Sequence, residues 1–218
     1  MSIQISNYSV GYRNIIATAS HLEINRPSLI ALIGENGSGK STFLKSISGL
    51  IDPLEGAIKN QHPGSVYLAA GRNFSQNLTV VELLLLAQKD YQAHILEAKS
   101  NVDFNPVLAS FGIADSANTK LSFLSDGQYQ LAALAFCLQK DANLLLLDEP
   151  FSFLDYKNKK IVFNQLKKIV LEHNKNVIFS THDISMLHLV DQVWLVENKK
   201  IKNATTTDIE LLSTQHQI

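Results

Sequence analysis

The 218-residue chain holds a single cysteine, Cys137. No internal disulfide can form, which suits a reducing compartment. Five prolines and ten glycines are too few for a linker. Charge is scarce: 19 basic against 20 acidic residues leave a net charge of −1. That balance excludes a general polyanion binder acting through bulk charge, so no nucleic-acid partner is expected. Long apolar runs are missing too. The longest, Val80 to Ala87 and Leu144 to Leu147, fall far short of the ~20 residues that span a bilayer, and each meets an acid. Met1-Ser2-Ile3-Gln4 lacks the basic-then-apolar layout of a signal peptide. A cytoplasmic chain with no direct membrane insertion is expected. Hydrophobic residues are well represented at 45%, enough for one sizeable core without a metal or disulfide staple.

Patterning predicts an α/β fold. Loose alternation over 3–10 (Ile3, Ile5, Tyr8, Val10) reads as a strand, and Leu22–Ile24 as a short one. The unbroken run Leu29 to Ile33 suits a strand covered on both faces. A helix follows from about Lys40 to Leu50, ended by Asp52-Pro53, and Val66–Ala69 is a further strand. The stretch 78–118 has a helical pattern, with Thr79 as a cap and Asn105-Pro106 and Phe111-Gly112 as punctuation. A helix over Asp126–Gln139 precedes renewed alternation. Strands are predicted at Leu144–Leu147, Val177–Ser180 and Val193–Val196. Helices are predicted at Tyr156–His173, Ile184–Leu189 and Thr207–Leu212. Such alternation implies a mostly parallel sheet flanked by helices. The expected division is a core of 1–75 and 136–218, with a helical insert over 76–135.

Between the apolar run and the first helix lies Gly34-Glu35-Asn36-Gly37-Ser38-Gly39-Lys40-Ser41-Thr42. It matches the phosphate-loop pattern in the strand–turn–helix context that the pattern needs. Glycines let backbone N–H groups converge on phosphate oxygens, and the helix start adds its positive dipole end. Lys40 is placed to reach the β- and γ-phosphates and the Ser41 hydroxyl to hold Mg²⁺. A second candidate is the apolar strand ending in Asp148-Glu149. Ligands collect at the carboxyl ends of strands in such sheets. Asp148 is suited to Mg²⁺ opposite Ser41, and Glu149 to polarising a water against the γ-phosphate.

With these in order, the chain resembles the ATP-binding cassette (ABC) family, the ATPase subunits of ABC transporters. Leu124-Ser125-Asp126-Gly127-Gln128 is similar to the family signature, usually L-S-G-G-Q. Glu149-Pro150-Phe151-Ser152-Phe153-Leu154-Asp155 resembles the stretch containing the D-loop, and Ser180-Thr181-His182-Asp183 the switch-histidine loop. Tyr12, 22 positions before Gly34, matches the aromatic that stacks on adenine. The resemblance implies a P-loop NTPase (RecA-like) core with an N-terminal antiparallel β element and an inserted α-helical subdomain. It implies two cassettes packed head to tail, in the simplest case a homodimer. The signature of one would close over ATP on the phosphate loop of the other. Ser125 and the Gly127 N–H would donate to the γ-phosphate, His182 would contact it and the attacking water, and Asp155 would connect the two sites. Plainer readings stand beside these. Ser125 can cap the helix after it, with Gln128 at the third position. His182 can be an ordinary loop histidine, and Tyr12 a surface aromatic. Cys137 reads as a packed thiol and Lys157, Lys159 and Lys160 as a solvated helix face. The remaining histidines, 21, 62, 94, 173, 188 and 216, have no metal-ligand spacing.

Three positions depart from the family pattern. The loop glutamine, nine positions before the Thr79 of Leu78-Thr79-Val80, falls on Ala70, which can neither bind Mg²⁺ nor orient water. Gln76 is a conceivable substitute. Asp126 replaces a signature glycine and is expected to face solvent or a partner, because a carboxylate turned toward phosphate costs energy. Tyr129, Leu131 and Phe136 stand where basic residues are common. The Phe153-Leu154-Asp155, Ser180 to Ile184 and Asp191 to Leu195 segments and the signature form resemble the branch that imports ferric siderophores, haem or cobalamin. This implies separate integral membrane permease subunits and a position on the inner face of the cell membrane. Two rivals remain: a soluble cassette ATPase in assembly or repair, and a weakly hydrolysing ATP-gated dimer clamp.

Overall fold

The structure, a computed structural model, describes residues 2–59, 64–88 and 102–215. The described strands are β1 (Ile3–Gly11), β2 (Ile15–Ile24), β3 (Leu29–Gly34), β4 (Glu55–Lys59), β5 (Ser65–Leu68), β6 (Leu144–Leu147), β7 (Asn176–Thr181), β8 (Gln192–Glu197) and β9 (Lys200–Asn203). They form one sheet in the order β4-β1-β2-β9-β8-β3-β7-β6-β5. From β8 through β3, β7 and β6 to β5 every pairing is parallel, while β1 pairs antiparallel with β2 and β4. The expected parallel core with an antiparallel N-terminal element is therefore present.

Side-chain alternation divides the core into two layers. Leu29, Ala31 and Ile33 of β3 and Leu145 and Leu147 of β6 face one layer, with the helical stretch. Ile30 and Leu32, with Leu144 and Leu146, face the other, against α1 (Lys40–Ile47). Period-two alternation of apolar residues on both faces is what a covered parallel strand requires. In the second layer Phe43 of α1 meets Tyr8 and Trp194 edge-on at 6.1 and 6.2 Å. The Tyr8 hydroxyl lies 2.7 Å from the Ser46 Oγ. This packing fixes α1, and with it the turn from β3.

Among the described residues, the helical stretch holds α2 (Val80–Leu85), α3 (Asn105–Ser110), two 3₁₀ turns and α4 (Asp126–Gln139). Thr79 caps α2 as expected, in a reciprocal box with Glu82. Pro106 does not break a helix. It lies in the first turn of α3, where its missing N–H costs nothing, and Gly112 at φ 70° follows the helix end. After β6 come α5 (Tyr156–His173) and α6 (Thr206–Gln215).

Three expectations need correction. β2 starts at Ile15, because the buried Ala17 and Ala19 continue the strand with side chains too small to show in the pattern. β4 and β9 were not expected. β4 is an exposed edge, and β9 buries only Ile201, so neither carries an apolar signal. Residues 184–189 form a 3₁₀ rather than an α-helix. His62, His94 and His216 lie outside the described residues.

Candidate functional site

The carboxyl ends of β3, β6 and β7 lie side by side, with β7 between the other two. They deliver Gly34, Asp148 and Thr181 to one end of the sheet. At two of its glycines the turn from β3 to α1 has no room for a side chain. A Cβ on Gly34 would lie 2.6 Å from the Val196 carbonyl oxygen, and one on Gly39 2.7 Å from Ile16 Cγ2. Gly34, Gly37 and Gly39 all have φ between 80° and 151°, a region that favours glycine. The Ile16 contact also places the β1–β2 hairpin, which bears Tyr12, beside this turn. Tyr12 itself is 64% exposed, so its ring is open to a ligand.

Lys40 is 6% exposed, and its Nζ donates to the carbonyls of Gly34 (2.7 Å) and Glu35 (2.9 Å). Burial lowers its pKa, and the carboxylates of Glu149 and Asp148 oppose that shift. The Ser38 Oγ is buried with no hydrogen-bond partner among the described residues. A buried hydroxyl without a partner is costly. An oxygen-rich anion in the turn would satisfy it, which makes the turn chemically fit for a phosphate. Ser41 is exposed on the first turn of α1, with Thr42 half-buried after it. Asn36 is exposed at the outer bend.

Asp148 is 5% exposed. Its carboxylate accepts from Ser180 Oγ at 2.6 Å and from the Tyr67 hydroxyl at 3.2 Å. Burial raises the Tyr67 pKa, and the Asp148 charge raises it further, so Tyr67 remains a donor. Ser180 Oγ also receives the Glu149 N–H at 2.9 Å. Glu149 needs that tether, since its φ of 50° is left-handed and costs about 1–3 kcal/mol in a non-glycine residue. The Glu149 carboxylate reaches the exposed His182, with Nδ1 3.1 Å from Oε2. Sequence reasoning did not give Tyr67 and Ser180 these roles. Only the sheet order, with β5 and β7 flanking β6, puts both hydroxyls on Asp148.

His182 is held by its neighbour. Lys159 pairs with Asp183 at 2.8 Å, and Asp183 caps the following 3₁₀ turn through Ser185. Burial pushes the Asp183 pKa up, but the Lys159 and Ser185 hydrogen bonds outweigh it and bring it to about 2. Lys159 is therefore half-buried and paired rather than part of a solvated face; Lys157 and Lys160 are exposed. Cys137 is buried, and burial pushes its thiol up to about 12, as an unreactive packed group.

Ser125 caps α4 with Gln128 in the reciprocal box read from the sequence. Behind it, Leu124 is buried. Gly127 packs on the segment before α5: a Cβ there would lie 3.0 Å from the Phe153 carbonyl oxygen. Gln130 donates to the Pro150 carbonyl at 3.1 Å. Asp155 caps α5, accepting the Asn158 N–H at 2.8 Å. Asp126 is exposed and also has a partner, as expected. It pairs with Arg72 at 3.1 Å, a residue that no motif singled out.

The ABC transporter family model matches residues 17–152. The chain belongs to this family. It is 35% identical to the thiamine import ATP-binding protein ThiQ of Haemophilus influenzae over 83% of this chain and 88% of that protein. It is 29% identical to the phosphonates import ATP-binding protein PhnC of Fusobacterium nucleatum, over 90% and 87% of the two chains. A solved ATP-binding subunit of an ABC transporter shares the fold with a TM-score of 0.81 at 23% identity, covering 100% of this chain and 95% of that one. The P-loop NTPase expectation for the fold is thereby met, and ATP binding and hydrolysis are the family's activity. Among the described residues no helix is long and apolar enough to cross a membrane.

Proposed function

We propose that this chain is the ATP-binding and hydrolysing subunit of an ABC importer, working as a pair of subunits beneath separate integral membrane permeases at the inner face of the cell membrane. The convergence of Lys40, Asp148 and Glu149 with the unpartnered Ser38 hydroxyl at the carboxyl end of the sheet carries the reading. In this reading the N–H groups from Gly34 to Thr42 cradle the phosphates, and Lys40 leaves its carbonyl partners for the γ-phosphate. Tyr12 stacks on adenine. Ser41 and Asp148 would hold Mg²⁺, which would supply neutralisation of phosphate charge when bound. Two protein ligands suffice for such an ion when phosphates complete the shell, in keeping with the lack of any larger ligand cluster among the described residues. Glu149 accepts a proton from the attacking water, and His182 orients both.

The signature turn, Leu124 to Gln128, meets the D-loop stretch and the loop after β5. We assign it to the γ-phosphate of the opposing subunit, with Asp155 at the junction of the two sites. The insert, 76–135, would dock on the permease. Iron-chelate import is the cargo suggested by the Phe153 to Asp155 and Ser180 to Ile184 segments. Vitamin import is the rival, favoured by the relative named for thiamine. Uptake of labelled ferric chelate or thiamine by cells with and without this gene separates them. Lys40→Ala should abolish MgATP hydrolysis by the purified chain; hydrolysis at the parental rate would contradict the assignment. Ala70 motivates a second reading, a slowly hydrolysing ATP-gated clamp. It predicts turnover that stays slow when the cognate membrane subunits are present.

A further inference from the structure

Arg72 follows Ala70 by two residues, in the loop after β5. Its side chain is 32% exposed, and its guanidinium is held by several partners at once. Nε donates to Asp126 Oδ1 at 3.1 Å, and Nη2 lies 3.1 Å from the same oxygen. Nη2 also donates to the Leu124 carbonyl at 2.6 Å. Nη1 donates to the Leu121 carbonyl at 2.8 Å and to Gln76 Oε1 at 3.1 Å. The Cζ sits 4.8 Å from the Tyr129 ring centroid, and the Tyr129 hydroxyl accepts the Phe74 N–H at 2.9 Å. A planar fork with five donors fits this set, and an ammonium does not.

The two sequence departures at Asp126 and Tyr129 thus meet on one side chain. Asp126 puts a carboxylate into a turn where the family pattern has glycine. We propose that Arg72 is the positioning residue of the signature turn: it neutralises Asp126 and holds the Leu124 carbonyl, so that a turn bearing a carboxylate can close on the triphosphate of the opposing subunit. The inference rests on the composite-site reading above. Gln76 is occupied in the same cluster, its Nε2 donating to the Phe74 carbonyl at 2.9 Å. It serves Arg72 rather than replacing the loop glutamine.

The mechanism is electrostatic, so salt and charge removal separate it from simple bracing. Without Arg72, the Asp126 charge repels the incoming phosphates, and like-charge juxtaposition weakens association steeply. Exposed repulsion is screened by salt.

The test uses the full chain carrying Glu149→Gln to suppress turnover, with MgATP-dependent dimerisation followed by sedimentation over a range of NaCl concentrations. Adding Arg72→Met should weaken dimerisation about tenfold or more at low salt, and the defect should shrink as salt rises. Adding Asp126→Asn to that variant should restore dimerisation to near the parental level. Asp126→Asn alone should dimerise at least as well as the parent, which keeps the test intact if Arg72→Met folds poorly. ATP binding to the monomer should be unchanged in all variants. Parental dimerisation by Arg72→Met, a defect that Asp126→Asn does not relieve, or weaker dimerisation by Asp126→Asn alone would each overturn the role of Arg72. Failure of the Glu149→Gln parent itself to dimerise would instead overturn the composite site.

Discussion

Single residues at the carboxyl end of the sheet show how far chemistry can be read from letters. Lys40, Asp148 and Glu149 were legible because their motifs state both residue type and backbone context. Arg72 was not, since a lone cation in a loop has no pattern until folding brings Asp126 and Tyr129 to it. Ala70 is the opposite case, an absence that only the family spacing reveals. Ala70→Gln should raise MgATP turnover about tenfold or more, by the usual weight of a group that orients a metal-site ligand. Turnover is measured by phosphate release, and an unchanged rate would show that this position does not hold the loop glutamine. Glu149→Gln should lower kcat by at least about 10²-fold, as expected for loss of a general base. Steady-state kinetics at saturating MgATP checks it.

At the scale of elements, the Ser125–Gln128 box and the Thr79 cap were visible in the sequence because each is a local pattern, while the reciprocal bond between Glu82 and Thr79 emerged only from the structure. Contacts between distant segments were not visible. The close packing of Gly127 on the Phe153 carbonyl depends on how α4 docks against the segment before α5. Gly127→Ala should separate the two by a few tenths of an ångström. It should lower turnover at least tenfold while leaving monomer ATP affinity unchanged, a split that equilibrium nucleotide binding beside turnover reveals. The tie between α5 and the histidine loop has its own signature in acid. Asp183 titrates near 2 in the folded chain against an ordinary 3.8, so its stabilisation is present in full above about pH 4 and is lost as pH falls toward 2. Urea unfolding should show Asp183→Asn less stable than the parent at pH 6, with the gap narrowing at pH 3. An equal gap at both pH values would mean that the charge contributes nothing.

For the whole molecule, the alternation of strands and helices predicted the parallel sheet because its strands are apolar on both faces. Strands β4 and β9 escaped notice because pairing, not burial, makes them strands: β4 is an exposed edge, and β9 lies between β2 and β8 with only Ile201 buried. The two-layer core positions one phosphate turn and one signature turn, which the composite-site reading assigns to different nucleotides. On that account a lone subunit holds two incomplete halves, and the nucleotide joins two copies by mass action. Sedimentation of the Glu149→Gln chain with MgATP tests this most directly. The account predicts a species of twice the chain mass that reverts to monomer when ATP is removed or when Ser125 is replaced by Arg. A chain that remains monomeric at saturating MgATP would contradict it.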